Sequence, residues 1–300
     1  VAGRIVEEIR KRLQLLVDIG IGYLTLDRLS HTLSGGESQR INLATSIGSA
    51  LVGALYVLDE PSIGLHSRDT ERMITILHKL RNLGNTVIVV EHDADIIRQA
   101  DVVIDMGPRA GEHGGELIFQ GNYEELLADK HAITGKYLSG KLSIPVPKER
   151  NPGNGKKIIV RHPTENNLKG EDVELPLGCM TVITGVSGSG KSTFVHDVLY
   201  GALLRLQGRQ AAKIGRSGEI EGAENISLVE MIDQSPIGKS PRSTPATYTK
   251  AFDVIREVFA ATQAAKQLGW KPGHFSFNVP GGRCEACQGD GLVKIEMQLL

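Results

Sequence analysis

Apolar and polar positions in the first third of the chain follow helical spacing in some segments and strand spacing in others. Apolar side chains recur every three or four positions over 4–17, which predicts an amphipathic helix. The unbroken apolar runs at 55–58 and 86–90 predict strands buried on both faces. A helical pattern over 68–83 separates them, and 101–106 predicts a third strand. This β-α-β-α-β alternation predicts the α/β class with a largely parallel sheet.

The pattern changes in the second half of the chain. A hairpin arm is predicted at 114–121, and 141–157 is rich in Pro, Gly and Lys, as is typical of a linker. Residues 180–184 predict a strand that leads straight into a glycine-rich segment, and 250–268 predict a helix. The chain therefore divides into 1–140, a linker at 141–157, and 158–300.

Composition narrows the classes of protein that fit. With 34 Lys and Arg against 35 Asp and Glu, the net charge of -1 excludes a protein that coats nucleic acid through overall basic charge. No apolar run approaches the length of a membrane span, and no secretory signal opens the chain, so we expect a cytoplasmic protein without a membrane partner. Three cysteines do not form a disulfide framework. The chain opens on Val rather than Met, as a chain lacking its beginning would.

A phosphate-binding loop is the most specific signal. GVSGSGKS at 185–192 has the spacing G-x-x-x-x-G-K-[ST] between a predicted strand and a predicted helix. Glycines let backbone N–H groups surround phosphate, the lysine reaches the outer phosphates, and the hydroxyl binds Mg²⁺. The alternative is a glycine-rich turn that binds nothing. The candidate nucleotide-binding residues are Gly185, Ser187, Gly188, Ser189, Gly190, Lys191, Ser192 and Thr193.

Acidic and imidazole side chains follow the two apolar strands of the first half. Asp59 would hold Mg²⁺ through water, Glu60 would orient an attacking water, and His92 follows the next strand. Seen alone, each of these three residues is equally typical of a solvated surface without a catalytic role. Their order after LSGGE at 33–37 is that of the signature, magnesium and switch elements of ATP-binding-cassette ATPases. The predicted fold is therefore a P-loop NTPase of that type.

Several longer segments resemble one family within this superfamily. LSGGESQRINLATSIGS, LDEPSIGLHSRD, DQSPIGKSPRSTPATYT and GGRCEACQGDG are similar to the UvrA family, the damage-recognition ATPases of bacterial nucleotide excision repair. Small departures, SIGS and TYTK, lie beside the motifs. Family members carry two cassette halves in tandem, each interrupted by a zinc module, and this chain resembles the end of the first half and the start of the second. The resemblance implies ATP hydrolysis, Mg²⁺ and Zn²⁺, a role in DNA repair and the SOS response, and damaged double-stranded DNA, UvrB and a second copy as partners.

The order of the motifs has a consequence for the ATP sites. One cassette needs its P-loop before its acidic residue and histidine, so Glu60 and His92 belong to a different ATP site from Lys191. In paired cassettes the signature of one half closes over the P-loop of the other. We therefore expect the signature to face 188–193 across the nucleotide, although both loops could instead lie exposed. The signature residues concerned are Ser34, Gly35 and Gly36.

Two more motifs concern metal ions. Gln234 resembles the glutamine of the Q-loop, which touches Mg²⁺ and senses the outermost phosphate. Cys284 and Cys287 have zinc-knuckle spacing, although a lone C-x-x-C also fits a redox pair or chance. The resemblance implies a second C-x-x-C beyond Leu300, so we expect a partial zinc-binding segment. Cys179 precedes a predicted strand and is expected to be a core thiol.

Two other functions remain open. A transporter ATPase subunit shares the P-loop and signature but lacks GGRCEACQGDG, and a non-catalytic module could use nucleotide only as a switch. Because each ATP site lacks half its parts, we expect the chain to hydrolyse ATP poorly alone. A loose set of basic residues near the last motifs could contact DNA phosphates or form a solvated face. It comprises Lys239, Arg242, Arg283 and Lys294.

Overall fold

A computed structural model describes residues 2–33, 35–48, 52–233, 238 and 242–293. They belong to two compact units, Val1–Val229 and Glu230–Leu300, which are described separately. The helices are α1 (Ala2–Asp18), α2 (Gly35–Gly48), α3 (Ser67–Asn82), α4 (Ala94–Arg98), α5 (Tyr123–Ala128), α6 (Ile133–Leu138), α7 (Gly201–Leu206), α8 (Pro245–Tyr248), α9 (Ala251–Ala260) and α10 (Gln263–Gln267). Throughout these described residues, every helix is too short or too polar to traverse a bilayer.

The predicted parallel pair of strands is present in the first unit. Strands β1 (Leu55–Asp59) and β2 (Thr86–Val90) run side by side in register, so that Asp59 lies opposite Val90 at their carboxyl ends. Helix α3 connects them, as its spacing predicts. Buried apolar side chains from four segments form a core: Ile19, Leu43, Ala44, Met73, Ile76, Leu77 and Ile96. The sheet therefore presents two strand ends, and the residues after them, at one edge.

Two expectations about these strands are wrong. Both β1 and β2 alternate exposed and half-buried positions rather than lying buried on both faces, and Leu55 and Val57 are 61% and 64% exposed. The third strand, β3 (Val103–Gly107), does not extend the parallel sheet. It pairs antiparallel with β4 (Glu116–Gly121), the predicted hairpin arm. Apolar runs alone do not show which neighbour a strand will find.

A second core in the same unit belongs to the part after the predicted linker. Strand β5 (Lys157–Val160) lies between β6 (Val173–Pro176) and β7 (Ile220–Glu221), antiparallel to both. Its apolar side packs on the helix that follows the glycine-rich loop, through Ile158, Val160, Phe194, Val198 and Leu203. The strand predicted at 180–184 is wrong, because this segment has no regular structure and makes no strand pairing. The predicted helix is present, as a π-helical stretch (Thr193–Tyr200) that continues into α7.

The second unit is built around helix α9 and aromatic contacts. The predicted helix over 250–268 is interrupted, because Thr262 caps a new helix, α10, by accepting from the Ala265 amide. Phe252 lies 5.3 Å from Phe277 between ring centroids. These contacts attach the segment that carries the C-x-x-C to α9.

Candidate nucleotide-binding site

The predicted phosphate-binding loop has the backbone geometry that its glycines allow. Gly185, Gly188 and Gly190 adopt φ values of +148°, +75° and +98°, which residues other than glycine rarely adopt. Ser192 and Thr193 begin the helix directly afterwards. The Lys191 ammonium donates to the carbonyl oxygens of Gly185 at 2.7 Å and Val186 at 2.9 Å. The positive charge is thus fixed inside the loop, where a phosphate would compete for it.

Asn166 and Asn167, which are not among the predicted site residues, support this loop. Asn167 donates through Nδ2 to the Gly188 carbonyl at 2.9 Å, and Asn166 donates to the Thr193 hydroxyl at 3.2 Å. A methyl group at Gly190 would lie only 2.9 Å from Asn167 Oδ1. Both lie in the segment ENNLKG at 165–170, but no spacing rule marks them. Their role appears only once the fold brings 166–167 beside the loop.

An ion-pair network holds the segment that carries these asparagines. Glu165 accepts from the Arg216 amide at 3.0 Å and pairs with Lys213 at 3.0 Å, and Lys213 also pairs with Asp197 at 2.8 Å. The amide of Arg216 and the ammonium of Lys213 lower the pKa of Glu165 to about 2. The carboxylates of Asp197 and Glu165, which both pair with Lys213, raise the pKa of its ammonium. Residue 165 is therefore ionised and anchored next to the loop-supporting asparagines.

The signature side of the first half meets the loop through one tyrosine. A methyl group at Gly188 would lie 2.7 Å from Cζ of Tyr23, so the ring occupies the space beside this glycine. The Tyr23 hydroxyl donates to Glu37 Oε1 at 2.7 Å. Burial, together with this bond to a carboxylate, raises the pKa of Tyr23 to about 12. Because Glu37 lies in the first turn of α2, the beginning of the signature helix is linked to the P-loop.

A second contact comes from the first turn of α3. The Ser187 amide donates to Asp69 Oδ2 at 3.2 Å, and Asp69 is only 6% exposed. A carboxylate near a helix N-terminus is stabilised by the partial positive charge there. Asp69 thus holds the P-loop from the first half. It ends the segment LDEPSIGLHSRD, but the sequence indicated no role for it.

The signature helix also contacts the turn that follows β1. Gln39 donates through Nε2 to the carbonyl oxygens of Asp59 at 2.9 Å and Glu60 at 3.1 Å. The buried guanidinium of Arg40 donates to the Gly36 carbonyl at 3.1 Å, and a methyl group at Gly36 would meet the Ile63 carbonyl at 3.3 Å. Helix α2 is therefore packed closely on the residues predicted to serve the other ATP site.

Glu60 and His92 lie together at the carboxyl edge of the parallel strands. Oε1 of Glu60 is 3.5 Å from Nε2 of His92, and the Glu60 amide donates to the Val90 carbonyl at 2.9 Å. Glu60 adopts φ +45°, a left-handed conformation that few side chains favour. Of the other predicted site residues, Ser34 and Gln234 fall outside the described part of the chain.

The C-x-x-C forms a tight turn in the second unit. Backbone N–H groups of Gly289 and Gly291 bond the Cys287 sulfur and, with the nearby Cys284 thiol, lower the pKa of Cys287. Arg242 donates to the Gln288 carbonyl at 3.3 Å and fixes the same turn. Over the ranges that the structure describes, no group of three or more His, Cys, Asp or Glu side chains is arranged to hold a metal ion. Two cysteines are half the number of ligands that a structural zinc site uses.

Comparisons with known proteins agree with the resemblance that the motifs indicate. Over all 300 residues the chain is 55% identical to UvrABC system protein A of Clostridium perfringens and 56% identical to that of Methanothermobacter thermautotrophicus. It spans about a third of their length, 32% and 31% respectively. The crystal structure of UvrA2 from Deinococcus radiodurans matches with a TM-score of 0.85 and 48% identity, over 95% of this chain and 34% of that one. No protein-family model matches the chain. The resemblance to UvrA is thereby confirmed.

The ionised Glu165 yields a prediction about acid stability. Its pKa is lower in the folded chain, about 2 against 4.5, so its contribution to stability is complete above pH 4.5 and is lost as the pH falls towards 2. Glu165→Gln is expected to lower the melting temperature at neutral pH and to flatten its decline below pH 4.5. Circular dichroism melts across this range test it, with Glu171→Gln, an exposed neighbour, as the control. Equal pH dependence of the two variants would contradict the assignment.

Proposed function

We propose that this chain is the central part of an ATP-hydrolysing DNA-damage recognition protein of nucleotide excision repair. Residues 1–140 would carry the end of one cassette half and 158–300 the start of the next, joined by 141–157. The observation that carries this proposal is the contact of the signature side with the P-loop through Tyr23 and Gly188. The comparisons lend no support to the transporter subunit or the switched module as alternatives.

The P-loop and the signature would bind one ATP between them. Backbone N–H groups of Gly188 and Gly190 and the ammonium of Lys191 suit the phosphates, because glycine conformations turn amides inward. The Ser189 amide donates to the Val186 carbonyl at 3.2 Å and would exchange that bond for one to phosphate. The start of α2, at Gly35 and Gly36, would supply the opposing donors. Ser34 and Gln234 remain predictions from the sequence. Supporting this arrangement, Tyr23 and Asp69 both reach the P-loop from the first half.

Glu60 and His92 would act in the second ATP site, completed by a P-loop elsewhere in the full-length protein. Glu60 would orient the attacking water in line with the outermost phosphate, and His92, 3.5 Å away, would contact that phosphate. Mg²⁺, when bound, would neutralise charge on the phosphates. Carboxylate and hydroxyl oxygens are its preferred ligands, and both Asp59, for this site, and Ser192, for the other, are exposed at the ends of their elements.

The partners of this activity follow from the names of the relatives. A UvrABC system protein A is named as one member of a system of several proteins. The partners that we propose are UvrB, damaged double-stranded DNA and a second copy of the full-length chain. Cleavage of DNA would belong to the other components. Net charge near zero means that this chain would meet DNA through a local basic patch rather than through overall attraction.

A zinc site would be shared between this chain and residues beyond it. Cys284 and Cys287 suit half of a tetrahedral site, since the turn after Cys287 directs the amides of Gly289 and Gly291 at its sulfur. Such a site would order the segment attached to α9, and it has no chemical role in hydrolysis.

ATP binding by the P-loop is tested with the chain itself. Lys191→Ala removes the ammonium that bonds Gly185 and Val186 and is expected to weaken binding of a fluorescent ATP analogue by about tenfold or more. Lys148→Ala, an exposed lysine in the linker, is the control and should leave the affinity unchanged. Tyr23→Ala in the same titration tests the signature side and should also weaken binding. If Lys191→Ala and Tyr23→Ala bound the analogue as tightly as the control does, the proposed nucleotide site would be refuted.

Hydrolysis is tested in a full-length protein. We design a chimera in which this chain replaces the matching segment of the Clostridium perfringens UvrABC system protein A. In this full-length chimera, Glu60→Gln is expected to lower the rate of ATP hydrolysis by about 10²-fold or more while ATP still binds, because the water loses its orienting carboxylate. Glu124→Gln, on the exposed face of α5, is the control. An unchanged steady-state rate for Glu60→Gln would refute catalysis by this residue.

Zinc content tests the cysteine pair in the same full-length chimera. Cys287→Ser is expected to reduce bound zinc by about one ion per chain, because a site with three ligands left holds the metal poorly. Cys179 supplies the matched control, since its thiol donates to the Pro176 carbonyl and Cys179→Ser should keep all the zinc. Metal analysis by mass spectrometry measures both. Equal zinc in the two variants would exclude the site.

A further inference from the structure

One carboxylate joins the two turns that carry Glu60 and His92. Glu91 directly follows β2, and its Oε1 accepts from the Ser62 amide at 2.8 Å. Its Oε2 accepts from the Ser62 hydroxyl at 2.8 Å, the His92 amide at 3.0 Å and the Asp93 amide at 3.2 Å. Four donors from two separate segments therefore converge on a single side chain.

These bonds begin where the strand ladder stops. The last ladder pair is Asp59 with Val90, and beyond it the chain turns away on both strands. Glu60 also holds a left-handed backbone conformation, which is sparsely populated and persists only when its surroundings impose it. The charge-assisted bonds of Glu91 to Ser62 contribute to that constraint, alongside those of Gln39 to the Asp59 and Glu60 carbonyls. A carboxylate binds backbone N–H groups about twice as strongly as a neutral acceptor does.

We propose that Glu91 is a positioning residue that sets the distance between the Glu60 carboxylate and the His92 imidazole. It fixes Ser62, two residues after Glu60, and it fixes the amide of His92 itself. It touches the reaction only through these two residues. The proposal rests on the proposed function, because the 3.5 Å distance matters to hydrolysis only if both residues serve it.

The neighbouring carboxylate of Asp93 shows what a purely local role looks like. Its Oδ1 accepts from the amides of Asp95 and Ile96, both within the first turn of α4. These two bonds cap helix α4, and neither of them reaches the turn after β1. Asp93→Asn is therefore a matched control for Glu91→Gln: each keeps the shape of the side chain, removes one charge and leaves one amide in its place.

The structural part of the proposal is measured by amide hydrogen exchange of the chain, followed by NMR. Glu91→Gln is expected to speed exchange at Ser62, His92 and Asp93 by about tenfold or more, because these amides lose an ionised acceptor. Asp93→Asn should speed exchange at Asp95 and Ile96 instead. Unchanged exchange at Ser62 in Glu91→Gln would overturn the link between the turns.

The functional part is measured in the full-length chimera. Glu91→Gln is expected to lower kcat for ATP by about 10²-fold with KM little changed, since misplacement affects the chemical step rather than binding. Asp93→Asn should stay within about twofold of the unaltered chimera. Combined with Glu60→Gln, Glu91→Gln should cause a smaller loss than it does alone, because part of its effect acts through the Glu60 carboxylate.

The outcomes separate this proposal from the proposed function. If Glu60→Gln lowers hydrolysis and Glu91→Gln leaves kcat unchanged, Glu91 is not a positioning residue and the ATPase assignment stands. If Glu60→Gln has no effect, the catalytic assignment fails and the role of Glu91 fails with it. A loss of kcat in Glu91→Gln that is matched by Asp93→Asn also overturns the proposal, because it would reflect general loosening of the 91–96 segment.

Discussion

A loop that binds phosphate with its backbone N–H groups cannot use those groups to hold its own shape. The shape of 185–193 therefore depends largely on bonds to its carbonyl groups and on contacts with neighbouring side chains, and much of the structure around it serves this requirement. Asn167 bonds a carbonyl of the loop rather than an amide, Lys191 bonds two more carbonyls, and the ring of Tyr23 restricts Gly188 from the other side. The Ser187 amide donates to Asp69, and the Ser189 amide donates to the Val186 carbonyl at 3.2 Å. A phosphate would compete for the second of these amides.

The same requirement explains the polar network behind the loop. Asn166 and Asn167 can support the loop only if their own segment is fixed, and Glu165 fixes it by binding the amide of Arg216 and the ammonium of Lys213. Ion pairs of this kind add little to stability when both partners are exposed. Here the bond to a backbone amide makes the arrangement directional, so the network contributes geometry to the site more than energy to the fold.

How much of this the sequence could show depends on whether a feature is local. The P-loop at 185–192 and the acidic and imidazole residues after β1 and β2 are marked by spacing over a few residues, and the structure gives the first its expected backbone and brings Glu60 beside His92. Tyr23, Asp69 and Asn167 act across long separations in the chain. Although Asp69 ends the segment LDEPSIGLHSRD, no local pattern predicts the contacts that these three residues make with the P-loop. The expected strand at 180–184 and the expected parallel pairing of β3 failed for a related reason. A strand exists only with a partner, and an apolar run does not specify which partner it will find.

Two helices connect the residues proposed for the two ATP sites. The turn that carries Glu60 runs directly into α3, whose first residue is Ser67, and Asp69 in its first turn bonds the Ser187 amide of the P-loop. Helix α2 bridges the same parts, since Gln39 bonds the carbonyls of Asp59 and Glu60 while Glu37 bonds Tyr23 beside Gly188. Packed helices move as bodies rather than bend freely, because protein interiors are as dense as crystals. The Glu60 turn, Asp69 and the start of α2 are thus joined by packing and hydrogen bonds, and Asp69 and the start of α2 contact the P-loop directly or through Tyr23. The motifs proposed for two different ATP sites therefore belong to one contact network, although the order of those motifs along the chain separates them.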